Sequence, residues 1–361
     1  MAHVRGDILY GSRPIPEWPH FKLLCDFERI GESIWEPGVF ERTAYYENAT
    51  ANIDTFGNYF DAYTPDQIQW SARRFLAASF PSHEAELLDS VPSWTVEPRE
   101  HVAVRPILHS SCFQVVEGHH RLAALYFKGI EEVNAVILTP AVTTPLQDLL
   151  LETVSPGGHC KLYQPIDSPE VKDWAGARHC EEMAAMMIEF LRTHSLMLPE
   201  LLSYLDVGCG YGWFVRQMAD RGFLAEGVES DPTAISIGTR MNGLTGWQLH
   251  CSDAIVFLRS NRGQSDVVSC YSLARYYRLH RHRATAEELL HLLDTATRRV
   301  LFLDMSEEHE CDGLEGSNPE QIRRWILGST TFSDVLCLGK REDADPAHEG
   351  SMGITVFACM R

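Results

Sequence analysis

One stretch of this chain combines glycines and an acid in a pattern that suits ligand binding. A short apolar run ends with Asp206 and Val207, and glycine then occupies every second position, at residues 208, 210 and 212. Glycine lets a ligand approach the backbone closely, and a helix that begins at such a turn offers unpaired N–H groups. A second apolar run ends at Glu229, where a ribose diol can donate to the carboxylate. This order of strand, glycine turn, helix, strand and acid predicts a site for a nucleoside-bearing cofactor.

The spacing of the glycines distinguishes between cofactors. A dinucleotide-binding fold requires G-x-G-x-x-G, whose third glycine would fall on Trp213, whereas this chain has Gly212. The pattern D-x-G-x-G-x-G, with Glu229 after it, resembles motif I of the class I S-adenosylmethionine (SAM)-dependent methyltransferases. A plain strand-to-helix turn in another nucleotide-binding fold is the alternative interpretation.

The resemblance implies a set of contacts with SAM. In that family the first glycines pass beneath the methionine part, an acid after the second strand binds the ribose, and an acid after the third strand binds the adenine amino group. The last role falls on Asp253, whose side chain also suits a helix N-cap. The cofactor-binding candidates are Asp206, Gly208, Cys209, Gly210, Gly212, Glu229, Asp253, Ala254 and Cys270.

A basic segment follows the fourth predicted strand. The nine residues that begin at Arg275 include four arginines and two histidines, in a chain whose formal net charge is −19. Because the carboxyl ends of strands border the ligand crevice of an open α/β sheet, we expect Arg275 and Arg278 to hold a phosphorylated or carboxylated acceptor. A solvated loop is the other interpretation. A hydroxyl acceptor would also need a general base, for which the candidates are His280, His282 and Tyr271.

The N-terminal part carries a second motif. Residues 115–125 form a pattern of strand, glycine turn and helix start, with an acid before the glycine and an arginine after two histidines. This pattern resembles the phosphate-binding motif of the ParB/sulfiredoxin superfamily. The resemblance implies that Glu117, Gly118, His120 and Arg121 bind the phosphates of ATP or ADP. Sulfiredoxin has a cysteine at the position of His119, so peroxide-repair chemistry is not expected. A scaffold domain without nucleotide is the alternative.

The motifs require strands that alternate with helices. In the C-terminal part, strands are predicted at 225–228, 247–251, 266–271 and 299–305, followed by two consecutive strands at 332–338 and 354–360. Such alternation implies a mostly parallel sheet, and the last two strands match the antiparallel hairpin that closes the methyltransferase sheet. The predicted fold class is therefore α/β, with a Rossmann-like seven-stranded sheet and a smaller N-terminal α+β domain that is ParB/sulfiredoxin-like. The predicted domains are 1–140 and 168–361, joined by a linker at 141–167.

Helix signals support this organisation. Thr64-Pro65-Asp66-Gln67 predicts a capping box that opens a helix reaching about Phe80. Ser168-Pro169 predicts another helix start, and the apolar stripe of Met183 and Met187 predicts core packing. By analogy with methyltransferase lid helices, Tyr163, Gln164 and Arg178 are further candidate contacts. The spacing of His159-Cys160 and His179-Cys180 does not suit a structural zinc site, and no metal is expected.

Composition limits the possible functions. The chain has 361 residues, enough for two domains that each bury a core. Its 50 acids against 31 bases disfavour nucleic-acid binding, which depends on neutralising phosphates. Ten scattered cysteines, no signal-like N-terminus and no membrane-length apolar run predict a cytoplasmic protein with free thiols.

Together these observations predict an enzyme. The leading hypothesis is a SAM-dependent methyltransferase that acts on a small-molecule or glycan acceptor, anionic in character, by O-methylation. One alternative is a bifunctional enzyme whose N-terminal domain is a nucleotide-dependent kinase. The other is a noncatalytic regulator that senses SAM or nucleotide. The sequence leaves the acceptor and the oligomeric state open.

Overall fold

The chain divides into two compact units. The structure, a computed structural model, describes residues 2–4, 7–60, 62–89, 102–130, 132–154, 160–176, 179–196, 202–260, 263–271, 286–306, 318–344 and 351–361. The first unit comprises residues 1–148 together with 168–173, and the second comprises residues 149–167 and 174–361. Within the described residues, no helix has both the length and the apolar character that a membrane span requires.

The first unit contains a six-stranded mixed sheet. Its strands are β1 (Ala2–Val4), β2 (Ile8–Tyr10), β3 (Arg13–Pro14), β4 (Val102–Pro106), β5 (Phe113–Glu117) and β6 (Val133–Ile137). They lie in the order β1-β6-β4-β5-β2-β3. The central strand β4 is antiparallel to β5, with Val104 opposite Val115, and parallel to β6.

Helices complete the first unit. They are α1 (Pro19–Ile30), α2 (Ala44–Phe56), α3 (Pro65–Ser79), α4 (Glu84–Leu88), α5 (His119–Phe127) and α6 (Pro145–Val154), which ends in the second unit. The apolar faces of α1, α2 and α3 form one hydrophobic core, whereas Trp18, Val104 and Leu122 belong to a second core on the sheet.

The predicted capping box at α3 is wrong in its side-chain pairing. The helix begins at Pro65 as expected, but the Thr64 side chain makes no capping hydrogen bond. The Gln67 Oε1 atom instead accepts from the backbone N–H of Tyr63 at 2.7 Å, one residue before the expected donor. The glutamine oxygen that would complete the capping box is therefore bonded to the turn that precedes the helix.

A short segment, Ser168–Asp173, belongs to the first unit and is held there by polar contacts. Glu170 is fully buried and accepts hydrogen bonds from the hydroxyls of Ser168 at 2.6 Å and Thr144 at 3.2 Å. The Asp173 carboxylate accepts from the N–H of Ser111 at 2.7 Å. The helix predicted at Pro169 is only a 3-10 turn, Pro169–Val171. The segment is therefore an integral part of the first unit.

The second unit is built on a seven-stranded sheet. Its strands are β9 (Ser203–Val207), β10 (Leu224–Glu229), β11 (Leu249–Cys251), β12 (Ser265–Cys270), β13 (Thr297–Ser306), β14 (Asp334–Ala344) and β15 (Ser351–Met360), while β7 (Lys161–Leu162) and β8 (Ala175–Gly176) form a separate pair. The order in the large sheet is β11-β10-β9-β12-β13-β15-β14. The first five strands are parallel to one another, and β15 is antiparallel to both of its neighbours, β13 and β14. The predicted α/β fold with a Rossmann-like sheet and a closing hairpin is confirmed.

Helices pack on this sheet and complete two hydrophobic cores. They are α7 (Cys180–Thr193), α8 (Trp213–Ala219), α9 (Pro232–Met241), α10 (Ala254–Ser260), α11 (Ala286–Ala296) and α12 (Pro319–Ser329). The side chains of Met183 and Met187 are fully buried in one core, together with Phe214 and Tyr204. The stripe predicted as core packing is thus confirmed. Because β9 to β12 are parallel, their carboxyl ends meet at one edge of the sheet.

Candidate functional site

The glycine turn joins β9 to α8 at the carboxyl edge of the sheet. The glycines at 208, 210 and 212 all have left-handed backbone angles, with φ between 56° and 79°. The backbone N–H groups of Gly208 and Cys209 donate to Val228 O at 2.9 and 3.0 Å, which fixes the turn against β10. At Gly212, a Cβ atom would lie 2.6 Å from Leu244 Cδ1. Glycine is therefore favoured at this position by the backbone conformation, and a Cβ atom would in addition require the Leu244 side chain to move.

The Glu229 carboxylate is positioned against this turn. Its Oε2 atom accepts from the backbone N–H of Gly210 at 3.0 Å. Its Oε1 atom accepts from the N–H groups of Ser230 and Asp231 at 2.7 and 3.0 Å. The structure thus brings two predicted cofactor residues into direct contact. The Ser230 hydroxyl also donates to Oε1, at 3.1 Å. These four contacts orient Glu229 and largely occupy Oε1, so a ligand hydroxyl would bind at Oε2 or replace the Ser230 hydroxyl.

Asp253 lies on the next strand connection along the same edge. The backbone N–H of Ser252 donates to Glu229 O at 2.9 Å, which ties this connection to the end of β10. Asp253 precedes α10, and its Oδ1 atom accepts from Val256 N at 3.0 Å. Its side chain is exposed, whereas Ala254 is buried. Asp253 is therefore an N-cap, and capping through one oxygen is compatible with the predicted adenine contact.

The buried Gln164 side chain holds the glycine turn through hydrogen bonds. This side chain is 1% exposed, and its Nε2 atom donates to Cys209 O at 3.0 Å. Its Oε1 atom accepts from the N–H of Tyr211 at 2.9 Å and from that of Trp213 at 3.4 Å. Gln164 thus occupies N–H groups at the start of α8. Sequence reasoning suggested Gln164 as a ligand contact, and its observed partners are backbone atoms of the turn.

Replacing Gln164 with alanine is expected to loosen the turn. The change leaves buried backbone groups without partners, which costs about 1–3 kcal/mol in the free energy of unfolding. Chemical denaturation monitored by tryptophan fluorescence measures this loss. Gln217→Ala on α8 is the control, because that side chain is less deeply buried, and it should lose less than about 0.5 kcal/mol. Equal stability of the Gln164→Ala variant and the wild type would contradict the assigned role.

Asp206 belongs to a buried hydrogen-bond chain within the sheet. It is 2% exposed, and its Oδ1 atom accepts from the Ser269 hydroxyl at 2.6 Å. The Ser269 Oγ atom also lies 2.6 Å from the Tyr204 hydroxyl. Burial, followed by the neighbouring Asp206 charge, holds the pKa of Tyr204 well above its usual value. The Asp206 carboxylate therefore links β9 to β12 directly beneath the turn.

The other cofactor candidates lie deeper in the protein. Cys209 is fully buried, burial holds its thiol pKa well above the usual value, and a Cβ atom at Gly227 would lie 2.7 Å from the Cys209 Cβ atom. Cys270 is likewise fully buried at the end of β12. Tyr271, a candidate general base, is 3% exposed and packs on Phe214 with ring centroids 5.0 Å apart. These side chains contribute to the core beneath the edge.

The basic segment lies outside the described residues. The structure describes Tyr271 and resumes at Ala286, so it does not describe Arg275, Arg278, His280 or His282. Arg178 also lies outside the described part of the chain. The predictions made for these side chains therefore stay predictions.

The N-terminal motif forms the connection that the sequence predicted. The strand β5 ends at Glu117, Gly118 has a left-handed φ of 91°, and α5 begins at His119. A Cβ atom at Gly118 would lie 3.1 Å from Val102 Cα, so glycine permits close approach of the strands. No side chain caps α5 and its first turn contains no acid. Such a helix N-terminus attracts anions.

A surface cavity of about 1000 Å³ opens beside α8. It is lined by residues of α7, α8 and the end of α9, among them Trp213 and Arg216. Arg216 pairs with Asp220 across one turn of α8 at 2.9 Å. The lining includes neither the first two glycines of the turn nor Glu229 or Asp253. The cavity is therefore separate from the predicted cofactor edge.

Among known proteins, this chain is similar to several solved structures. No family model and no curated protein matches this sequence. The magnesium protoporphyrin IX methyltransferase from Synechocystis, with bound SAM, is 17% identical over 50% of this chain and 80% of its own, with a TM-score of 0.37. The bifunctional kinase-methyltransferase WbdD is 16% identical over 59% of this chain and 45% of its own, with a TM-score of 0.45. This chain thus matches less than half the length of WbdD.

A third similar structure comes from an archaeon. The SAM-dependent methyltransferase from Archaeoglobus fulgidus is 18% identical over 49% of this chain and 94% of its own, with a TM-score of 0.34. All three identities are below 20%. None of these proteins is a close relative of this chain.

Proposed function

We propose that the second unit is a SAM-dependent methyltransferase whose acceptor is an anionic small molecule or glycan terminus. The acceptor carries a phosphate or carboxylate, and the methyl group is placed on oxygen. The observation that carries this proposal is the contact between Glu229 and Gly210 at the carboxyl edge of a sheet with this strand order. This contact supports a single cofactor site formed by the glycine turn and the end of β10.

The residues at this edge fit a nucleoside with a charged amino-acid tail. Glu229 offers a carboxylate to a pair of hydroxyl donors, and the glycines leave the backbone open to close approach. Gly208 and Gly210 would adjoin the methionine part, Glu229 the ribose and Asp253 the adenine amino group. SAM supplies an electrophilic methyl group on a sulfonium centre when it is bound. Gln164 already accepts from N–H groups at the start of α8, where a pyrophosphate would otherwise bind.

The chain itself contributes mainly orientation. The fixed glycine turn and Glu229 would hold the cofactor, and residues after β12 would hold the acceptor in line with the methyl group. Such alignment accounts for a large share of the rate gain in a displacement reaction. An ionised phosphate or carboxylate oxygen needs no general base. A hydroxyl acceptor would require proton removal by His280, His282 or Tyr271.

The methyltransferase proposal is tested by turnover of labelled SAM. The chain of 361 residues is incubated with a metabolite extract, and transfer of the methyl group into small molecules is followed by mass spectrometry. A labelled anionic product is the expected result. Binding of SAM without any transfer would favour the noncatalytic regulator.

The basic segment gives a prediction about acceptor binding. Exchanging Arg275 and Arg278 together for glutamine should raise the acceptor KM at least tenfold, because charge-assisted hydrogen bonds are worth about 1.5–3 kcal/mol each. The SAM affinity should stay unchanged, and the rate should become less sensitive to salt. Steady-state kinetics at two ionic strengths measure both effects. Arg298→Gln is a control outside the segment. Wild-type kinetics in the double variant would contradict an anionic acceptor.

A second candidate function concerns the first unit. The uncapped start of α5 after Gly118 favours a phosphate site, which would make the protein a nucleotide-dependent kinase as well as a methyltransferase. Glu117, Gly118 and Arg121 are the proposed contacts, whereas the His120 ring packs on His20 at 4.6 Å and its Nε2 atom lies 2.9 Å from the Tyr45 hydroxyl. A scaffold domain remains the competing assignment.

The nucleotide site is tested by thermal stability. ADP at millimolar concentration should raise the melting temperature of the full chain, since a ligand that binds the native state stabilises it. Arg121→Ala should abolish this shift and preserve SAM binding, whereas Arg42→Ala is the control. The full chain is used because Ser168–Asp173 belong to the first unit. No shift with ADP or ATP would favour the scaffold.

A further inference from the structure

Three histidine side chains, two buried and one partly buried, form a cluster in the first unit. His20 lies on α1, and His119 and His120 begin α5. The ring centroid of His20 lies 4.6 Å from that of His120 and 5.7 Å from that of His119. Burial lowers the pKa of His20, that of His119 to about 4 and that of His120 to about 3. All three imidazoles are therefore neutral at pH 7.

Two of these rings have a hydrogen-bond partner on one nitrogen. The Tyr59 hydroxyl lies 2.9 Å from His20 Nε2, and the Tyr45 hydroxyl lies 2.9 Å from His120 Nε2. However, His20 Nδ1 and His119 Nδ1 are buried and have no partner among the described residues. Whichever tautomer is present, a neutral imidazole has a donor on one nitrogen and an acceptor on the other. Each of these histidines therefore has an unsatisfied hydrogen-bonding group in the interior, which is destabilising.

Phe60 covers the cluster. Its ring centroid lies 4.9 Å from His120, 5.6 Å from His119 and 5.9 Å from His20. The side chain is 42% exposed, and the residue has a φ of 50°, which is unfavourable for a bulky side chain. A phenylalanine ring offers no hydrogen-bonding atom to either unsatisfied nitrogen. Phe60 therefore covers the cluster in an unfavourable backbone conformation, and its ring satisfies neither His20 Nδ1 nor His119 Nδ1.

We infer that Phe60 occupies the position of a ligand ring: an uncharged, planar heteroaromatic group of the nucleobase type, carrying both a donor and an acceptor. Such a ring replaces the aromatic contacts of Phe60 and hydrogen-bonds to His20 Nδ1 and His119 Nδ1. The Tyr10 ring, in edge contact with His119 at 4.9 Å, provides a further aromatic wall. The inference concerns the first unit and does not depend on methyl transfer in the second.

The chemistry of the cluster favours this ligand class over a metal ion. Metal-binding groups of three or more residues must bring their ligand atoms close together. Among the described residues, the group that does so is Glu32, His83 and Glu86, and the histidine cluster is not such a group. An anion is also disfavoured in this cluster, because neutral imidazoles in an aromatic surrounding provide no compensating charge.

The test uses Phe60→Gly in the full chain. Glycine suits the left-handed backbone at this position, and its lack of a ring opens the proposed site. Calorimetry with adenosine and with guanosine is carried out with S-adenosylhomocysteine at saturation, which blocks the site proposed in the second unit. We expect Phe60→Gly to bind one of the two nucleosides at least about tenfold more tightly than the wild type, because a competing occupant has been removed. Phe60→Ala is a second variant with the same expectation.

Two further variants locate the binding. Adding His20→Phe or His119→Phe to Phe60→Gly should reverse the gain in affinity, whereas Phe56→Ala, at an exposed phenylalanine on α2, should leave wild-type affinity unchanged. The gain for that nucleoside should survive Arg121→Ala, which separates this site from the proposed phosphate site. The inference is overturned if neither Phe60 variant binds a nucleoside more tightly. It is also overturned if the histidine variants retain the gain.

Discussion

Glu229→Ala is expected to weaken SAM binding by at least about 100-fold, or about 2.7 kcal/mol. The change removes the acceptor proposed for two ribose hydroxyls, and it also releases the N–H of Gly210 from its 3.0 Å contact with Oε2. Isothermal titration calorimetry with SAM measures the loss. We expect kcat for any acceptor to fall by a smaller factor than the SAM affinity, provided that the reacting groups stay aligned in the transition state.

A matched control lies on the same strand. Glu226 is three residues earlier on β10, and its carboxylate accepts from His250 Nε2 at 2.8 Å. Glu226→Ala also removes one acid from this strand, but it should leave the SAM affinity unchanged. Unchanged affinity in a folded Glu229→Ala protein would contradict the ribose assignment. Tighter binding of NAD than of SAM by the wild type would contradict the methyltransferase proposal itself.

Acidification from pH 7 to pH 4.5 is expected to destabilise the first unit by about 5 kcal/mol or more. The pKa of His119 is about 4 and that of His120 about 3 in the folded protein, against about 6.5 in the unfolded chain. The unfolded chain therefore binds protons below pH 6.5 that the folded unit does not bind. Each of these histidines contributes a loss of about 2.5 kcal/mol at pH 4.5, and His20, with its lowered pKa, adds to it. Stability is retained above pH 6.5 and declines as the pH falls towards the folded values.

Hydrogen exchange followed by mass spectrometry measures this loss separately for each unit. His119→Gln should make the pH dependence less steep by about one proton, because its unfolded state no longer takes up that proton. The control is His83→Gln, since the His83 side chain is 45% exposed and forms a surface pair with Glu86. Equal protection of the first unit at pH 7 and pH 4.5 would show that the cluster accepts protons while folded.

The glycine turn was predictable because its determinants are local. Asp206 to Gly212 set a strand end and a left-handed turn, and Glu229 follows after one helix, so the sequence alone indicated which strand ends would meet. The role of Gln164, by contrast, could not be predicted from a local pattern. Its hydrogen bonds with Cys209 and Tyr211 span more than 40 residues, and a glutamine in an irregular segment carries no periodic signal.

The histidine cluster was missed for the same physical reason. The sequence motif included His120, but Tyr45 is 75 residues away and Tyr59 is 39 residues from His20. The sequence between residues 14 and 63 is rich in aromatic residues, but composition does not indicate which rings meet in the fold. Strand lengths also depended on tertiary pairing. The strand β13 runs over ten residues, beyond the seven predicted, because Thr297 pairs with Ser265 of β12 at one end and Ser306 pairs with Ile354 of β15 at the other.

The placement of Ser168–Asp173 in the first unit has a consequence for the history of this chain. The polypeptide passes between the units three times, after residues 148, 167 and 173. Two genes joined end to end would produce a single crossing. No single break in the coding sequence therefore leaves both units intact, because any such break leaves one of them without a part of its own structure. We expect the two halves of this protein to be inherited, exchanged and lost together.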